Sequence, residues 1–303
     1  MAGSDVLVTG ASGFVGRHVL DRARAAGLVA YTARGDLRDP NVAEAEIAIA
    51  RPRAVIHLAA ATRSMQPWLA LKADVAMAGA VLCAVARQVP EAPVLITGSA
   101  AQYGLGASRP LAEEDVTVPI SAHGGVKCTL ERAVLAQPLR RNVRVIFTRS
   151  FNHIGPGQPA DAPAGHWARQ IIEAEATDGG SIRTGNLNAV RDFLDVRDVA
   201  DAYLALVQSG AAGVVNVCSG VPVSLRQVAE IFVRHSSVPA TIERDRALIR
   251  GVDPPYIVGN PQRLHELTGW RPQISLERSV SDLLAACRYE HGPRGATAAT
   301  GVS

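Results

Sequence analysis

A glycine-rich turn near the N-terminus constrains the fold of this 303-residue chain more than any other feature. The apolar run 6–9 is followed by Gly10, Gly13 and Gly16, which lead into a helical pattern. At such a turn, the first glycine permits a tight bend, the second lets the backbone approach a pyrophosphate, and the third lets the helix pack closely on the strand. The helix N-terminus offers free N–H groups to that phosphate. The spacing therefore predicts a dinucleotide-binding turn, whereas a glycine motif without this context indicates only a tight bend.

Strand-like and helix-like segments alternate through the first half of the chain. Five short runs predict strands, at 5–9, 28–32, 54–58, 93–97 and 143–147. Helical patterns lie between them, at 16–26, 40–50, 72–88 and 125–136. This alternation predicts βαβ units, and near-continuous apolar strands are typical of sheets covered on both faces. We therefore expect an α/β protein with a Rossmann-type, doubly wound parallel sheet.

The pattern changes after residue 150. Residues 151–161 are rich in Gly, Pro, Asn and His and predict a loop, while 191–196 and 213–217 look like strands separated by a helix. We expect a dinucleotide-binding domain at 1–150 with a return at roughly 190–220, a smaller discontinuous substrate domain at 151–189 and 221–290, and a flexible tail at 291–303.

Composition and charge exclude several classes of partner. The formal net charge of +3 gives no reason to expect nucleic acid or an anionic membrane surface. No stretch approaches the length of uncharged apolar sequence that a membrane span needs, and the N-terminus has no signal-like pattern. The four cysteines are far apart and lack metal-ligand spacing. We expect free thiols, no metal site and a cytoplasmic protein.

The end of the second strand bears on the choice of dinucleotide. NAD sites usually place an acidic residue there for the ribose 2′-hydroxyl. This strand instead ends with Arg34, which with Arg17 of the first helix is suited to a 2′-phosphate, although both could be solvated surface arginines. We favour NADP(H) over NAD(H), and we expect Asp36 and Leu37 to border the adenine.

Further motifs follow the glycine-rich turn in order. They are DLRD at 36–39, HLAA at 57–60, TGSAAQYG at 97–104, HGGVK at 123–127, FNHIGPGQ at 151–158, ARQI at 168–171, GNLNAVRDFLDVRDVADAY at 185–203 and TGWRP at 268–272. From Val6 to about Tyr289, this set resembles the extended short-chain dehydrogenase/reductases, the NAD-dependent epimerase/dehydratase family. The second-half motifs are most similar to GDP-6-deoxy-4-keto-mannose reductases and neighbouring sugar-nucleotide enzymes.

The resemblance implies how the chain is organised around its ligands. It implies a Rossmann domain and a small domain that clamps a nucleotide-diphosphate sugar, and a homodimer formed through the helix that carries the catalytic lysine. Leu130, Val134 and Leu135 could supply an apolar face there, or could equally be core. The implied cofactor-binding residues are Gly10, Ser12, Gly13, Phe14, Val15, Gly16, Arg17, Arg34, Asp36, Leu37, Leu58, Ala59, Ala60 and Lys127.

The catalytic group of the family is a Ser or Thr, a Tyr, and a Lys four residues after the Tyr. Residues at i and i+4 share one helix face, so the ammonium lies near the phenol and also bonds the nicotinamide ribose. Ser99 matches the serine, which polarises the substrate carbonyl. Lys127 matches the lysine, and Lys72 is the only other lysine in the sequence.

The tyrosine position is occupied by His123. Imidazole can act as an acid or a base near neutral pH, and a neighbouring ammonium is expected to favour its neutral form. We expect His123 to replace the tyrosine, with Tyr103 as a weaker substitute. Ala101 stands where the dehydratases carry a glutamate, which argues against 4,6-dehydration. Asp74 stands where many relatives have Asn and could be a helix-surface carboxylate.

Three further residues resemble substrate-binding residues of the relatives. Asn152 and Arg191 occupy positions that relatives use for the diphosphate, and Arg250 resembles another arginine that meets the nucleotide. A guanidinium binds phosphate oxygens through two parallel hydrogen bonds, which explains the residue type. We expect an NADP(H)-dependent reductase of a nucleotide-diphosphate 4-keto-6-deoxyhexose. The alternatives are a nucleotide-sugar epimerase that retains NAD(P), and a catalytically weak cofactor-binding sensor or partner protein.

Overall fold

The structure, a computed structural model, describes residues 3–61, 65–136, 143–249 and 252–291. The strands are β1 (Val6–Thr9), β2 (Ala30–Thr32), β3 (Val55–His57), β4 (Val94–Thr97), β5 (Val145–Ser150), β6 (Asn152–Ile154), β7 (Gly180–Thr184), β8 (Val190–Arg191), β9 (Phe193–Asp195), β10 (Gly213–Val217), β11 (Val223–Ser224), β12 (Ala240–Arg244) and β13 (Tyr256–Ile257). The α-helices are α1 (Phe14–Ala25), α2 (Pro40–Ala50), α3 (Pro67–Gln88), α4 (Ala122–Ala136), α5 (Pro163–Glu175), α6 (Val196–Gln208), α7 (Leu225–Arg234), α8 (Gln262–Thr268) and α9 (Leu276–His291).

A six-stranded parallel sheet forms the centre of the first half, in the order β10-β5-β4-β3-β1-β2. Alternate side chains of each strand point to opposite faces, so Val8 packs with α1 and α6 on one face while Leu7 packs with α2, α3 and α4 on the other. The predicted doubly wound, Rossmann-type α/β fold is confirmed. The carboxyl ends of β1, β3 and β4 lie at one edge of this sheet, where such folds bind ligands.

Helix α3 differs from the sequence-based expectation that no segment is long and apolar enough to span a membrane. Its 22 residues include an 18-residue window with a mean hydropathy of 1.8, which passes that test by length and composition. The helix packs between α2 and α4 and buries its inner face, including Asp74. Because core helices share this composition, the test alone is weak support for a membrane span.

Residues after β5 build a second region around a separate apolar core. Helices α5, α7 and α9 pack together through side chains that include Trp167, Phe232 and Leu283. Three small sheets accompany them, in the orders β11-β8-β13, β12-β7 and β6-β9. Strand β10 returns to the large sheet and pairs with β5, so the chain crosses from the first region to the second and back.

Two local predictions in this second region were wrong. The segment 151–161 was expected to be a loop, but residues 152–154 form β6 because they pair in parallel with β9. The predicted strand 191–196 is interrupted at Asp192, whose buried carboxylate accepts hydrogen bonds from the N–H groups of Ser219, Gly220 and Gly259. Both differences arise from long-range pairing that local sequence does not reveal.

Leu130 and Val134 are almost fully buried within the protomer, and Leu135 packs against the same cluster. Of the two alternatives for these side chains, the structure therefore shows core packing. The side chains of Cys128 and Cys218 are buried. The predicted tail falls, after residue 291, outside the described residues.

Candidate active site

The glycine-rich turn lies at the carboxyl end of β1 and opens helix α1. Gly10 has a φ of +65°, and a Cβ there would lie 2.7 Å from the backbone nitrogen of Ala59. A Cβ at Gly16 would collide with the carbonyl oxygen of Gly10. Gly13 is the N-cap and has no side chain, so it leaves the first-turn N–H groups of α1 uncapped. These constraints fit a pyrophosphate held by backbone N–H groups at the helix N-terminus.

The segment after β3 borders this turn. The Thr9 hydroxyl accepts a hydrogen bond from the Ala59 N–H at 3.1 Å and lies 2.8 Å from Nδ1 of His57. The Leu58 N–H donates to the Thr9 carbonyl at 3.3 Å. Leu58 and Ala59 are therefore fixed beside the glycine-rich turn, with Ala60 exposed next to them. Burial, and next the Lys127 ammonium, lower the pKa of His57 to about 4, so its ring is neutral near neutral pH.

The two arginines expected at the 2′-phosphate are placed differently. Arg34 is exposed beyond β2, and its backbone N–H donates to the Glu46 carboxylate at 2.9 Å. Arg17 instead donates to the Gly157 carbonyl at 3.2 Å, in the loop after β6. Arg17 thus ties α1 to the second region, because its position on the first turn of α1 faces that loop.

The two residues expected beside the adenine also lie in different surroundings. Asp36 is exposed and forms an ion pair with Arg38 at 2.5 Å. Leu37 is 6% exposed and packs in the core beneath α2. The Leu37 side chain points into the apolar layer, and the expectation that Asp36 and Leu37 border the adenine stays a prediction.

Ser99 follows β4 and caps a short 3-10 turn, Ala100–Tyr103. Its hydroxyl oxygen accepts a hydrogen bond from the Ala101 N–H at 3.2 Å. Its own backbone N–H donates to Oε1 of Gln102 at 3.0 Å. The hydroxyl hydrogen is not used in this capping arrangement, so it is available for donation to a substrate oxygen.

A buried polar network fixes the Ser99 turn to helix α4. Nε2 of Gln102 donates to Oε2 of Glu131 at 2.7 Å, and Arg149 donates to Oε1 of Glu131 at 2.6 Å. Sequence reasoning missed Gln102 and Glu131. The sequence could have indicated Glu131, because it stands four residues after Lys127 and therefore lies on the same helix face.

Helix α4 carries His123 in its first turn and Lys127 one turn later. Gly124 is buried, and a Cβ there would collide with the carbonyl oxygen of Ala101. The first turn of α4 therefore packs directly on the turn that follows Ser99. His123 is exposed at this end of the helix, whereas Lys127 is 7% exposed. The structure brings the Ser99 turn, His123 and Lys127 to one place at the carboxyl edge of the sheet.

Asp74 of α3 is part of the same site. Nζ of Lys127 donates to Oδ2 of Asp74 at 3.0 Å, and the Ala61 N–H donates to Oδ1 at 2.7 Å. Asp74 is 3% exposed. The expectation of a helix-surface carboxylate is therefore wrong, because the inner face of α3 turns Asp74 toward Lys127.

Tyr103 does not serve as a substitute for the missing tyrosine. It is 3% exposed, and its hydroxyl donates to Oδ1 of Asn216 at 2.8 Å. The guanidinium of Arg149 stacks 4.8 Å from the centre of its ring. Burial raises the pKa of Tyr103 to about 12, so the phenol is a poor proton donor held in the core.

The expected diphosphate contacts lie in the second region. Nδ2 of Asn152 donates to the Asp192 carbonyl at 3.0 Å, next to Arg191 in the chain. Arg191 is bound by Asp253 at 2.6 Å and by the Pro254 carbonyl at 2.8 Å. A diphosphate would therefore have to share or displace the Asp253 carboxylate. Arg250 lies outside the described residues.

Among the described residues, no three His, Cys, Asp or Glu side chains are grouped as metal ligands. The sequence profile of the NAD-dependent epimerase/dehydratase family matches residues 6–218. The chain belongs to this family.

Its relatives act on sugar nucleotides. Over 292 residues the chain is 32% identical to the GDP-6-deoxy-D-mannose reductase of Pseudomonas aeruginosa, covering 92% of this chain and 96% of that protein. Over 308 residues it is 28% identical to the UDP-glucose 4-epimerase of Azospirillum brasilense, covering 88% and 87%. The structure of RMD from Pseudomonas aeruginosa complexed with NADPH superposes with a TM-score of 0.82 at 31% identity, covering 93% of this chain and 98% of that one. The protein is an NAD(P)-dependent sugar-nucleotide enzyme of the extended short-chain dehydrogenase type.

Proposed function

We propose that this enzyme is an NADP(H)-dependent reductase of a nucleotide-diphosphate 4-keto-6-deoxyhexose. The observation that carries the proposal is the contact of Gly124 with the Ala101 carbonyl, which joins the Ser99 turn to the helix start that bears His123. The similarity to a GDP-6-deoxy-D-mannose reductase supports this choice of reaction.

Each side chain of the site has a separate role in the proposed carbonyl reduction. The nicotinamide, when bound, supplies the hydride for the keto carbon. Ser99 donates its hydroxyl hydrogen to the keto oxygen and polarises the carbonyl. Protonated His123 gives a proton to that oxygen as it becomes a hydroxyl, and the exposed imidazole is reprotonated from solvent. Lys127 holds the nicotinamide ribose, as the family resemblance implies.

The preference for NADP(H) rests on Arg34. Its guanidinium is exposed at the end of β2, where an NAD site usually presents a carboxylate. The nearby Glu46 carboxylate accepts the Arg34 backbone N–H, which fixes the backbone at this position. The RMD structure with NADPH supports the same preference.

The diphosphate of the substrate would bind between the two regions. Asn152 and Arg191 supply an amide and a guanidinium close together, and Asn152 is exposed. The ion pair with Asp253 positions Arg191 before substrate arrives. We include Arg250 in this set on the sequence pattern alone.

A turnover assay tests the proposed function. The purified protein is mixed with GDP-4-keto-6-deoxymannose and NADPH, and both NADPH consumption and sugar-nucleotide products are followed. We expect stoichiometric reduction, which falls sharply in His123→Ala but not in His166→Ala, an exposed histidine of α5. Conversion of UDP-glucose to its 4-epimer without added NADPH would favour the epimerase instead. Cofactor binding with neither reaction would favour a sensor or partner protein.

We also propose a cytoplasmic homodimer formed through α3 and α4. Leu130 and Val134 are core residues, so exposed side chains of these helices, such as the 66% exposed Trp68, would form the contact. Light scattering of the native protein and of Trp68→Glu measures the mass of the particle. A monomer in the native protein contradicts the dimer, and a soluble-fraction assay of cells tests the location.

A further inference from the structure

We propose that Asp74 sets the acid strength of His123: by neutralising the Lys127 ammonium, it lets the imidazole keep its proton while the lysine stays charged. Asp74 is thus a positioning residue that acts through Lys127. The inference rests on the proposed function, because it explains how a histidine can serve where a phenol is usual.

The geometry of the pair supports this role. Asp74 and Lys127 form an ion pair at 3.0 Å, with side chains 4% and 9% exposed. The second carboxylate oxygen of Asp74 is bound by the Ala61 N–H. The opposite charges of the two side chains cancel within this ion pair. Burial makes this cancellation effective, because little solvent screens the two charges.

The sign of the effect depends on the residue at position 123. An unpaired ammonium one helix turn away would disfavour imidazolium, and would thereby remove the proton that His123 must donate. The same ammonium would lower the pKa of a phenol from its ordinary value of about 10 and so strengthen the phenol as an acid. A proton-donating histidine at position 123 therefore benefits from a lysine whose charge is neutralised. A proton-donating tyrosine at the same position would benefit from a lysine whose charge is not neutralised.

Other titratable groups near the pair do not take over this role. The other titratable groups of the surrounding described elements are His57 of β3, Lys72, Cys83 and Arg87 of α3, Tyr103 after β4, and Cys128, Glu131 and Arg132 of α4. His57 is buried and neutral, with its pKa lowered to about 4. Glu131 is paired with Arg149 at 2.6 Å. Lys72 is exposed and lies about 200° around the helix from Asp74.

A series of charge variants tests the inference without any turnover. The protonation of His123 is followed by NMR of histidine-labelled protein with NADPH bound, and His123→Gln identifies its signal. The summed charge of the side chains at positions 74 and 127 is zero in the native protein and in the double variant Asp74→Asn/Lys127→Gln. It is +1 in Asp74→Asn and −1 in Lys127→Gln. We expect the midpoint of the His123 titration to fall by on the order of one pH unit in Asp74→Asn and to rise in Lys127→Gln. In the double variant, the midpoint should return to near its native value.

Midpoints that do not follow this order overturn the inference. If Asp74→Asn does not fold, the comparison of Lys127→Gln with the double variant decides, because the double variant must titrate at lower pH. These outcomes are independent of whether the protein reduces a 4-keto sugar, so failure of the proposed reaction and failure of this inference are distinguishable.

Kinetics give a second readout. With GDP-4-keto-6-deoxymannose and NADPH, Asp74→Asn should move the basic limb of the kcat profile to lower pH and reduce kcat above it by on the order of tenfold. In a His123→Tyr background, the same substitution should leave kcat equal or higher. Equal losses in both backgrounds would show that Asp74 is only structural, and would overturn the inference.

Discussion

Gln102 and Glu131 are joined by a 2.7 Å hydrogen bond from Nε2 to Oε2, which connects the turn after β4 to the middle of α4. The Oε1 atom of the same Gln102 amide accepts a hydrogen bond from the backbone N–H of Ser99. Lys127 stands one helix turn before Glu131, so this connection fixes the serine relative to the lysine. The relative placement of Ser99 and Lys127 therefore depends on the hydrogen bonds of Gln102.

Removal of Glu131 should be costly for stability. Glu131→Ala leaves the Arg149 guanidinium, 6% exposed, without its carboxylate partner. Breaking a buried ion pair from one side typically costs about 3–5 kcal/mol of unfolding free energy. Urea denaturation measures this loss. The control is Glu173→Ala, which removes an exposed pair with Arg169 and should cost no more than about 1 kcal/mol. Similar small losses in the two variants would contradict the role of Glu131.

Two adjacent glycines of α4 provide a matched test of the helix contact. Gly124→Ala forces a Cβ against the Ala101 carbonyl, whereas a Cβ at Gly125 would meet nothing within 4 Å. We expect Gly124→Ala to lower kcat and thermal stability, because the helix start must move away from Ser99. Gly125→Ala should be neutral or stabilising by up to about 1 kcal/mol, since alanine favours a helix. Thermal melts and kcat of the two variants measure the difference, and the idea fails if they behave alike.

Arg34 should discriminate between the two dinucleotides. Loss of a charge-assisted hydrogen bond to phosphate costs about 1.5–3 kcal/mol, so Arg34→Ala should weaken NADPH binding by about tenfold to a hundredfold. NADH binding should change little. Fluorescence titration gives both dissociation constants. Arg24→Ala, an exposed arginine at the far end of α1, is the control. Tighter binding of NADH than NADPH by the native protein would contradict the cofactor proposal.

His57 should make stability depend on pH. Its pKa is lowered from 6.5 to about 4 in the folded protein, chiefly by burial. Between these two values the unfolded chain binds more protons, so the free energy of unfolding rises with pH across this range and is lost as the pH falls. The shift corresponds to about 3 kcal/mol. Urea denaturation across this pH range, compared with His57→Asn, measures the contribution. An unchanged pH dependence in the variant would contradict it.

The sequence alone predicted the parts of the site that depend on local spacing. Gly10, Gly13 and Gly16 follow a strand and open a helix, and His123 and Lys127 share a helix face, because periodicity alone determines these relations. The doubly wound sheet was predicted for the same reason, from alternation of strand and helix patterns.

Relations across long sequence separations were not predicted. Asp74 meets Lys127 from another helix, and Arg17 meets Gly157 from another region, so no local pattern identifies either contact. The burial of the Leu37 side chain beneath α2 was not predicted either, because it depends on tertiary packing. Side-chain direction at strand ends depends on the helices that cover them, which is information that one short motif does not contain.

The pairing of β10 with β5 affects the order in which the protein can fold during synthesis. Strand β5 ends at residue 150, but its edge partner begins at residue 213. While the ribosome makes the intervening segment, one side of β5 presents unpaired backbone N–H and C=O groups, which favour association with other chains. The nascent dinucleotide-binding half therefore stays prone to aggregation until residues 213–217 emerge, and a fragment that stops at residue 150 would keep that open edge.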